Sequence, residues 1–255
     1  FAFNGRNMIC VHRDWSKRRT GLDSRAISLT RDGKIVIAGT SHHRGARTGA
    51  FVARLSGGGK KLDRSFKGTK MNRLDRAGMV EILPPEGQAN FTDVEALASG
   101  KVLAAGTLKG RFLAARFLRN GRRDPAFGRK GVSSFDLGGQ FGCKCSAAVA
   151  MARDRHGRIL LAGYTMKYGL GDADLQPTVI RLKRNGRLDR SFGVNGVTRP
   201  QLSEYLELPD GRPVRRFLTT GLTLQSDGKI VISGEYNFRY SLLRLKPNGK
   251  PDASF

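Results

Sequence analysis

The sequence predicts an all-β protein, a β-propeller assembled from four tandem blade repeats of about sixty residues. Three observations predict it. A glycine-bounded apolar block recurs four times, a short arginine-bearing strand follows each copy, and an aspartate–phenylalanine block closes each unit. Self-similarity at a fixed period marks a repeat architecture before any finer assignment is made.

The apolar block occupies Asp32–Gly39, Ser99–Gly106, His156–Gly163 and Asp227–Gly234. Its apolar, largely β-branched run reads as a strand. The stretch before it, such as Ser24 to Thr30, alternates apolar and polar residues and reads as the partner of a hairpin. Asp32-Gly33 and its equivalents fit a tight two-residue primed turn, because glycine accepts a positive φ there. The third strand is Phe51 to Leu55, and its block recurs as Val52–Leu55, Ala114–Phe117, Val179–Leu182 and Leu243–Leu245. A more variable stretch, such as Val11 to Trp15 or Val197 to Leu202, supplies a fourth. No segment shows sustained helical periodicity. Antiparallel hairpins of this length favour radial blades over the shorter coils of a solenoid.

The closing block is Leu62–Phe66, Arg123–Phe127, Leu188–Phe192 or Pro251–Phe255. Phe1 matches its last residue, so the spacings are 65, 61, 65 and 63 residues. Repeat units then fall near 1–65, 66–126, 127–191 and 192–255 of a single domain, 1–255. Such a register is expected of a closed four-blade ring or of part of a larger propeller.

The blocks resemble a known family. The pattern of Asp227-Gly228-Lys229-Ile230-Val231, then an Ala-Arg-Leu-like strand, then Asn185 to Gly196, resembles the delta-60 repeat of bacterial β-propeller proteins. The resemblance runs through all four units. It departs at Ser99, Arg123 and Lys67, where Asp, Leu and Gly are expected. It implies a propeller in an extracellular, periplasmic or cell-surface protein, and it implies no particular activity.

Residues present in every unit are expected to serve what every blade needs. The aspartates Asp63, Asp124, Asp189 and Asp252 suit turn closure on backbone N–H groups. The phenylalanine that follows suits an anchor between sheets. Arg54, Arg116, Arg181 and Arg244 interrupt apolar strands and are either solvated, paired, or lining a groove.

Charge adds a further expectation. Forty-six Lys and Arg against 21 Asp and Glu give +25, which a basic proteome produces as readily as a polyanionic partner does. Cations crowd the closing turns: Lys60, Lys61, Arg64 and Lys67; Arg119, Arg122, Arg123, Arg129 and Lys130; Lys183, Arg184, Arg187 and Arg190; Lys246 and Lys250. Equivalent turns of a propeller share one rim, so this pattern predicts a positive ring or a merely solubilising surface. A functional ring would hold phosphate, sulfate or carboxylate groups. Nucleic acid is a possible partner without a motif to support it, because no stacking aromatics interleave the cations.

Catalytic and metal motifs are sparse. Of His12, His42, His43 and His156, the last fills a turn position, and His42-His43 reads as a surface pair before it reads as a metal site. Gly171–Asp174 offers too few oxygens for calcium by itself. Cys10, Cys143 and Cys145 read as buried free thiols. No cofactor is expected, and no apolar run is long enough to cross a bilayer. Three readings follow. The first is a non-catalytic module whose basic rim engages an acidic glycan, protein or nucleic acid. The second is a hydrolase or lyase with its site at the propeller mouth. The third is a subunit that pairs with another protein through blade edges.

Overall fold

Backbone geometry at glycine sets the hairpins from which the molecule is built. The computed structural model describes residues 2–3, 6–7, 21–43, 45, 47–68, 78–138, 146–168, 173–202, 206–207, 213–214 and 216–255. In the first turn, Thr30 N–H donates to Lys34 O at 2.9 Å and Gly33 N–H donates to Thr30 O at 3.0 Å. Three residues therefore separate the paired ends, and Gly33 lies at φ 73°. This corrects the expected two-residue primed turn. A type I turn followed by a left-handed glycine uses one more residue and still matches the strand twist. Turns Leu97–Lys101, Asp154–Arg158 and Gln225–Lys229 repeat both hydrogen bonds.

Two short strands, β1 (Ala2–Phe3) and β2 (Arg6–Asn7), form a hairpin. The first four-stranded sheet holds β3 (Leu22–Leu29), β4 (Ile35–His42), β5 (Thr48–Leu55) and β6 (Met79–Ile82) in chain order. The second holds β7 (Ala89–Ala96), β8 (Val102–Leu108), β9 (Arg111–Phe117) and β10 (Val132–Phe135). The third holds β11 (Ser146–Arg153), β12 (Ile159–Tyr168), β13 (Ala173–Leu182) and β14 (Val197–Thr198). A small hairpin, β15 (Leu206–Glu207) with β16 (Pro213–Val214), precedes the last sheet. That sheet holds β17 (Phe217–Leu224), β18 (Ile230–Tyr236) and β19 (Arg239–Leu245), three strands among the described residues. No helix occurs in the described residues, and none is long and apolar enough to cross a membrane. Of the fourth strand expected at Val197 to Leu202, Val197–Thr198 is strand and pairs with β13. The one expected at Val11 to Trp15 lies outside the described residues.

The last glycine of each apolar block has a role that its sequence position does not reveal. The first strand of each three- or four-stranded sheet is bulged at one equivalent place: Ser24/Ala26, Phe91/Asp93, Ala148/Ala150 and Thr219/Gly221. Each bulge presses a backbone carbonyl toward the neighbouring strand. A Cβ on Gly39, Gly106, Gly163 or Gly234 would collide with the carbonyl of Asp23, Asn90, Ala147 or Leu218. Only glycine lets the backbones approach this closely.

The chain divides into two compact units, residues 1–109 with 114–132, and 110–113 with 133–255. In the first, Phe51, Ala53 and Met79 pack with Leu22, Ile37 and Leu62, and Phe91 meets Phe117 edge-on at 6.3 Å. In the second, Phe192 and Phe217 anchor a core with Leu160, Val179, Ile230, Ile232 and Leu245. Each buried aromatic ring removes on the order of 150–250 Å² from water. Phe66, Phe127 and Phe192 are fully buried, whereas Phe255 is 59% exposed.

Candidate functional site

The recurrent arginine settles first. Arg54 Nε donates to Asp63 Oδ2 at 2.8 Å, Nη2 donates to Ser65 Oγ at 3.1 Å, and Nη1 donates to the Arg119 carbonyl at 2.8 Å. Its guanidinium stacks 4.7 Å from the Phe66 ring centroid. Arg116, Arg181 and Arg244 repeat the aspartate bond and the ring contact with Asp124/Phe127, Asp189/Phe192 and Asp252/Phe255. The same aspartates cap their turns, as when Ser65 N–H donates to Asp63 Oδ1 at 3.0 Å. Burial alone would raise the Asp63 pKa. Hydrogen bonds from Ser65 and Lys34 and the charge of Arg54 outweigh it and hold the carboxyl far below its ordinary value. Asp124 and Asp189 are depressed against the same burial cost; at Asp252 the Ser254 hydroxyl is the leading cause. A device present in all four repeats holds the fold together.

A different cluster occurs once. Glu81 on β6 is buried, and its Oε1 accepts from the hydroxyl of Ser41 on β4 in a short hydrogen bond. The same oxygen lies 2.7 Å from His43 Nε2. With Glu81 ionised, Nε2 carries the proton and Nδ1 is left as a base. The His43 side chain is 18% exposed and that of Glu81 fully enclosed. His43 N–H donates to Arg47 O at 2.9 Å, which closes the loop that carries the imidazole. Gly49 on β5 makes room between the strands, since a Cβ there would strike the Glu81 carboxylate and the Ser41 hydroxyl. In the other repeats Leu108, Thr165 and Tyr236 replace Ser41, and Ser134 and Arg199 replace Glu81. The repeat fold therefore does not require the cluster. A carboxylate that orients an imidazole produces a general base.

Sequence reasoning missed Ser41, Gly49 and Glu81, and took His43 for a surface residue. The partners lie 40 and 38 residues apart. The available signal was their departure from the repeat pattern. His42 is the exposed one, with Nε2 2.7 Å from Asp23 Oδ2. His156 sits in its turn, where its N–H donates to Asp154 Oδ1. His12, Cys10, Cys143, Cys145, Trp15 and Gly171–Asp172 lie outside the described residues, and Asp174 falls in β13. Among the described residues no group of three or more His, Cys, Asp or Glu is placed to hold a metal.

The basic turn residues are exposed apart from the half-buried Arg123, and their backbones close turns. Ser56 N–H donates to Lys61 O, Leu118 N–H to Arg122 O, Lys183 N–H to Arg187 O and Lys246 N–H to Lys250 O. Lys60 lies in the first of these turns, and Arg64 and Arg190 lie in the turns that follow, Asp63–Phe66 and Asp189–Phe192. Arg123 bridges to Phe117 and Arg129 to Val132. Lys130 takes a left-handed φ of 52° in the turn between Arg129 and Val132. The Arg119 and Arg184 side chains lie over Gly100 and Gly157 of their own repeats.

Residues 30–66, 157–192 and 225–255 match a family model described as a domain of unknown function (DUF5122) beta-propeller. The match supports a bacterial β-propeller repeat family. No curated protein matches the chain. Among solved structures, the chain is similar to a GH43_1 enzyme from Xanthomonas citri, with TM-score 0.42 and 14% identity over 89% of this chain and 72% of that one. The same enzyme complexed with xylose gives TM-score 0.41 at the same identity and coverage. The expectation of a non-catalytic module engaging an acidic partner through its rim is corrected here. Apart from Arg123 the turn cations are exposed, while a buried polar cluster that the other repeats lack lies on β4, its loop and β6.

Proposed function

We propose that this chain is a hydrolase in which His43, oriented by Glu81, activates water. One observation carries the reading: the 2.7 Å contact between His43 Nε2 and a buried carboxylate, built from residues that the other repeats lack. His43 Nδ1 takes a proton from water, the resulting hydroxide attacks an ester carbonyl, and the departing alkoxide recovers the proton from the imidazolium. Glu81 keeps the imidazole in the productive tautomer and stabilises its charged form, and Ser41 holds the carboxylate in place. A glycosidase would instead present two carboxyl groups to its sugar, and Glu81 is enclosed and already accepts two hydrogen bonds on one oxygen.

The test measures turnover of p-nitrophenyl acetate by wild type, His43→Ala, Glu81→Gln and His42→Ala. His43→Ala is expected to lower kcat by about 10²-fold or more, with partial rescue by added imidazole. His42→Ala is expected to leave it unchanged. Full activity in His43→Ala, or no turnover by the folded wild type, would overturn the reading.

We also infer that the repeats are delta-60 units forming propeller blades, in a closed ring of four or part of a larger one. Their common bulge, turn and arginine–aspartate pair support this. The third sheet supplies β14 as its fourth strand, and the last sheet shows three strands ending at β19.

A further inference from the structure

In three repeats a lysine after the first hairpin turn reaches the closing aspartate. Lys34 lies 3.1 Å from Asp63, Lys101 2.9 Å from Asp124 and Lys229 3.3 Å from Asp252. The third repeat departs from the pattern. Its equivalent residue is Arg158, whose Nε donates to Asp154 on its own turn at 2.6 Å. Arg181 of that repeat keeps Asp189, Ser191 and the Pro247 carbonyl. Arg158 and Arg181 thus line the same cleft. Burial, and then repulsion from Arg158, lower the pKa of Arg181. Asp189 and Asp154 offset part of that repulsion, and an anion bound beside Arg158 would offset more of it.

The cleft lies between the first hairpin turns of the third and fourth repeats and has a volume of about 380 Å³. Leu160, Leu224, Ile230 and Pro247 give it apolar lining. The corresponding cleft between the first and second repeats measures about 160 Å³, and there Lys34 is turned onto Asp63. Small-molecule sites occupy roughly 300–1,000 Å³ and combine an apolar lining with a few polar groups. Only the larger cleft meets that description.

We propose that this cleft binds a small monocarboxylate with an apolar body. Arg158 supplies a planar fork suited to a carboxylate. Arg181, committed to its own partners, supplies fixed positive charge. The apolar body lies on Leu160, Ile230 and Pro247. Asp154 and Asp227, also in the lining, select against a dianion. This site is independent of the His43 chemistry and of the exposed turn cations.

Calorimetric titration with 4-phenylbutyrate tests the proposal, against 4-phenylbutanol, acetate and phenyl phosphate. The carboxylate is expected to bind at least about tenfold more tightly than each of the other three. Arg158→Gln is expected to weaken it by about tenfold or more, and Lys101→Gln to leave it unchanged. Arg158→Lys restores the residue of the other repeats, so it is expected to fold and to lose most of the binding with the fork. Equal binding of the alcohol, tighter binding of phenyl phosphate, no binding at all, or an unaffected Arg158→Lys variant would overturn the proposal.

Discussion

Arg181 and Asp189 show what one side chain contributes. Both are nearly enclosed, with side-chain exposures of 5% and 9%. Removing one partner leaves the other charge buried, which typically costs about 3–5 kcal/mol. Asp189→Ala is expected to lower stability by that amount in denaturant unfolding, and Arg181→Met combined with Asp189→Ala is expected to cost less than the single aspartate variant. A double variant that unfolds more readily than Asp189→Ala alone would contradict a paired role. From sequence alone this arginine stayed open between solvation, pairing and lining a groove. Its spacing from the aspartate shows that both recur, but not that a turn folds one back onto the other. His43 illustrates the opposite difficulty. A histidine in a variable loop has no visible partner in sequence, because Glu81 reaches it only through the pairing of β5 with β6.

At the scale of elements, the hairpins were the most legible part of the chain. Alternation, β-branching and glycine placed the first three strands of each repeat close to where they lie. The bulge in the first strand was not legible, because it is defined by a neighbour's backbone and not by its own residues. It also explains the glycine that ends each apolar block. Gly163→Ala puts a methyl group into the Ala147 carbonyl. The strands must separate, at a cost of about 1–3 kcal/mol or more, readable as a fall in Tm. Gly45→Ala is the contrasting variant, since a Cβ there meets nothing within 4 Å; its left-handed φ of 75° leaves only a smaller backbone cost. Equal losses from the two substitutions would rule out the collision.

For the whole molecule, the depressed aspartates, Asp32 and Asp154 together with the four closing ones, set the acid limit. Each carboxyl titrates lower when folded than when unfolded, where its value is about 3.9. The unfolded chain therefore takes up protons first as pH falls, and the stability these groups contribute is lost below about pH 4. Protonation also raises a net charge that already stands at +25, which adds repulsion. Tm at fixed ionic strength is expected to be level from about pH 5 upward and to fall steeply below about pH 4. A Tm unchanged at pH 3 would contradict this. The four arginine–aspartate–phenylalanine devices have one more consequence. They are one motif placed in four surroundings: three rings are sealed, while the Phe255 ring is 59% exposed. Making the same substitution at Arg54, Arg116, Arg181 and Arg244 turns a single polypeptide into a matched series. The aspartate bond and the ring contact stay constant along that series while solvent access and the remaining partners vary, so the energetic value of enclosure can be compared within one protein.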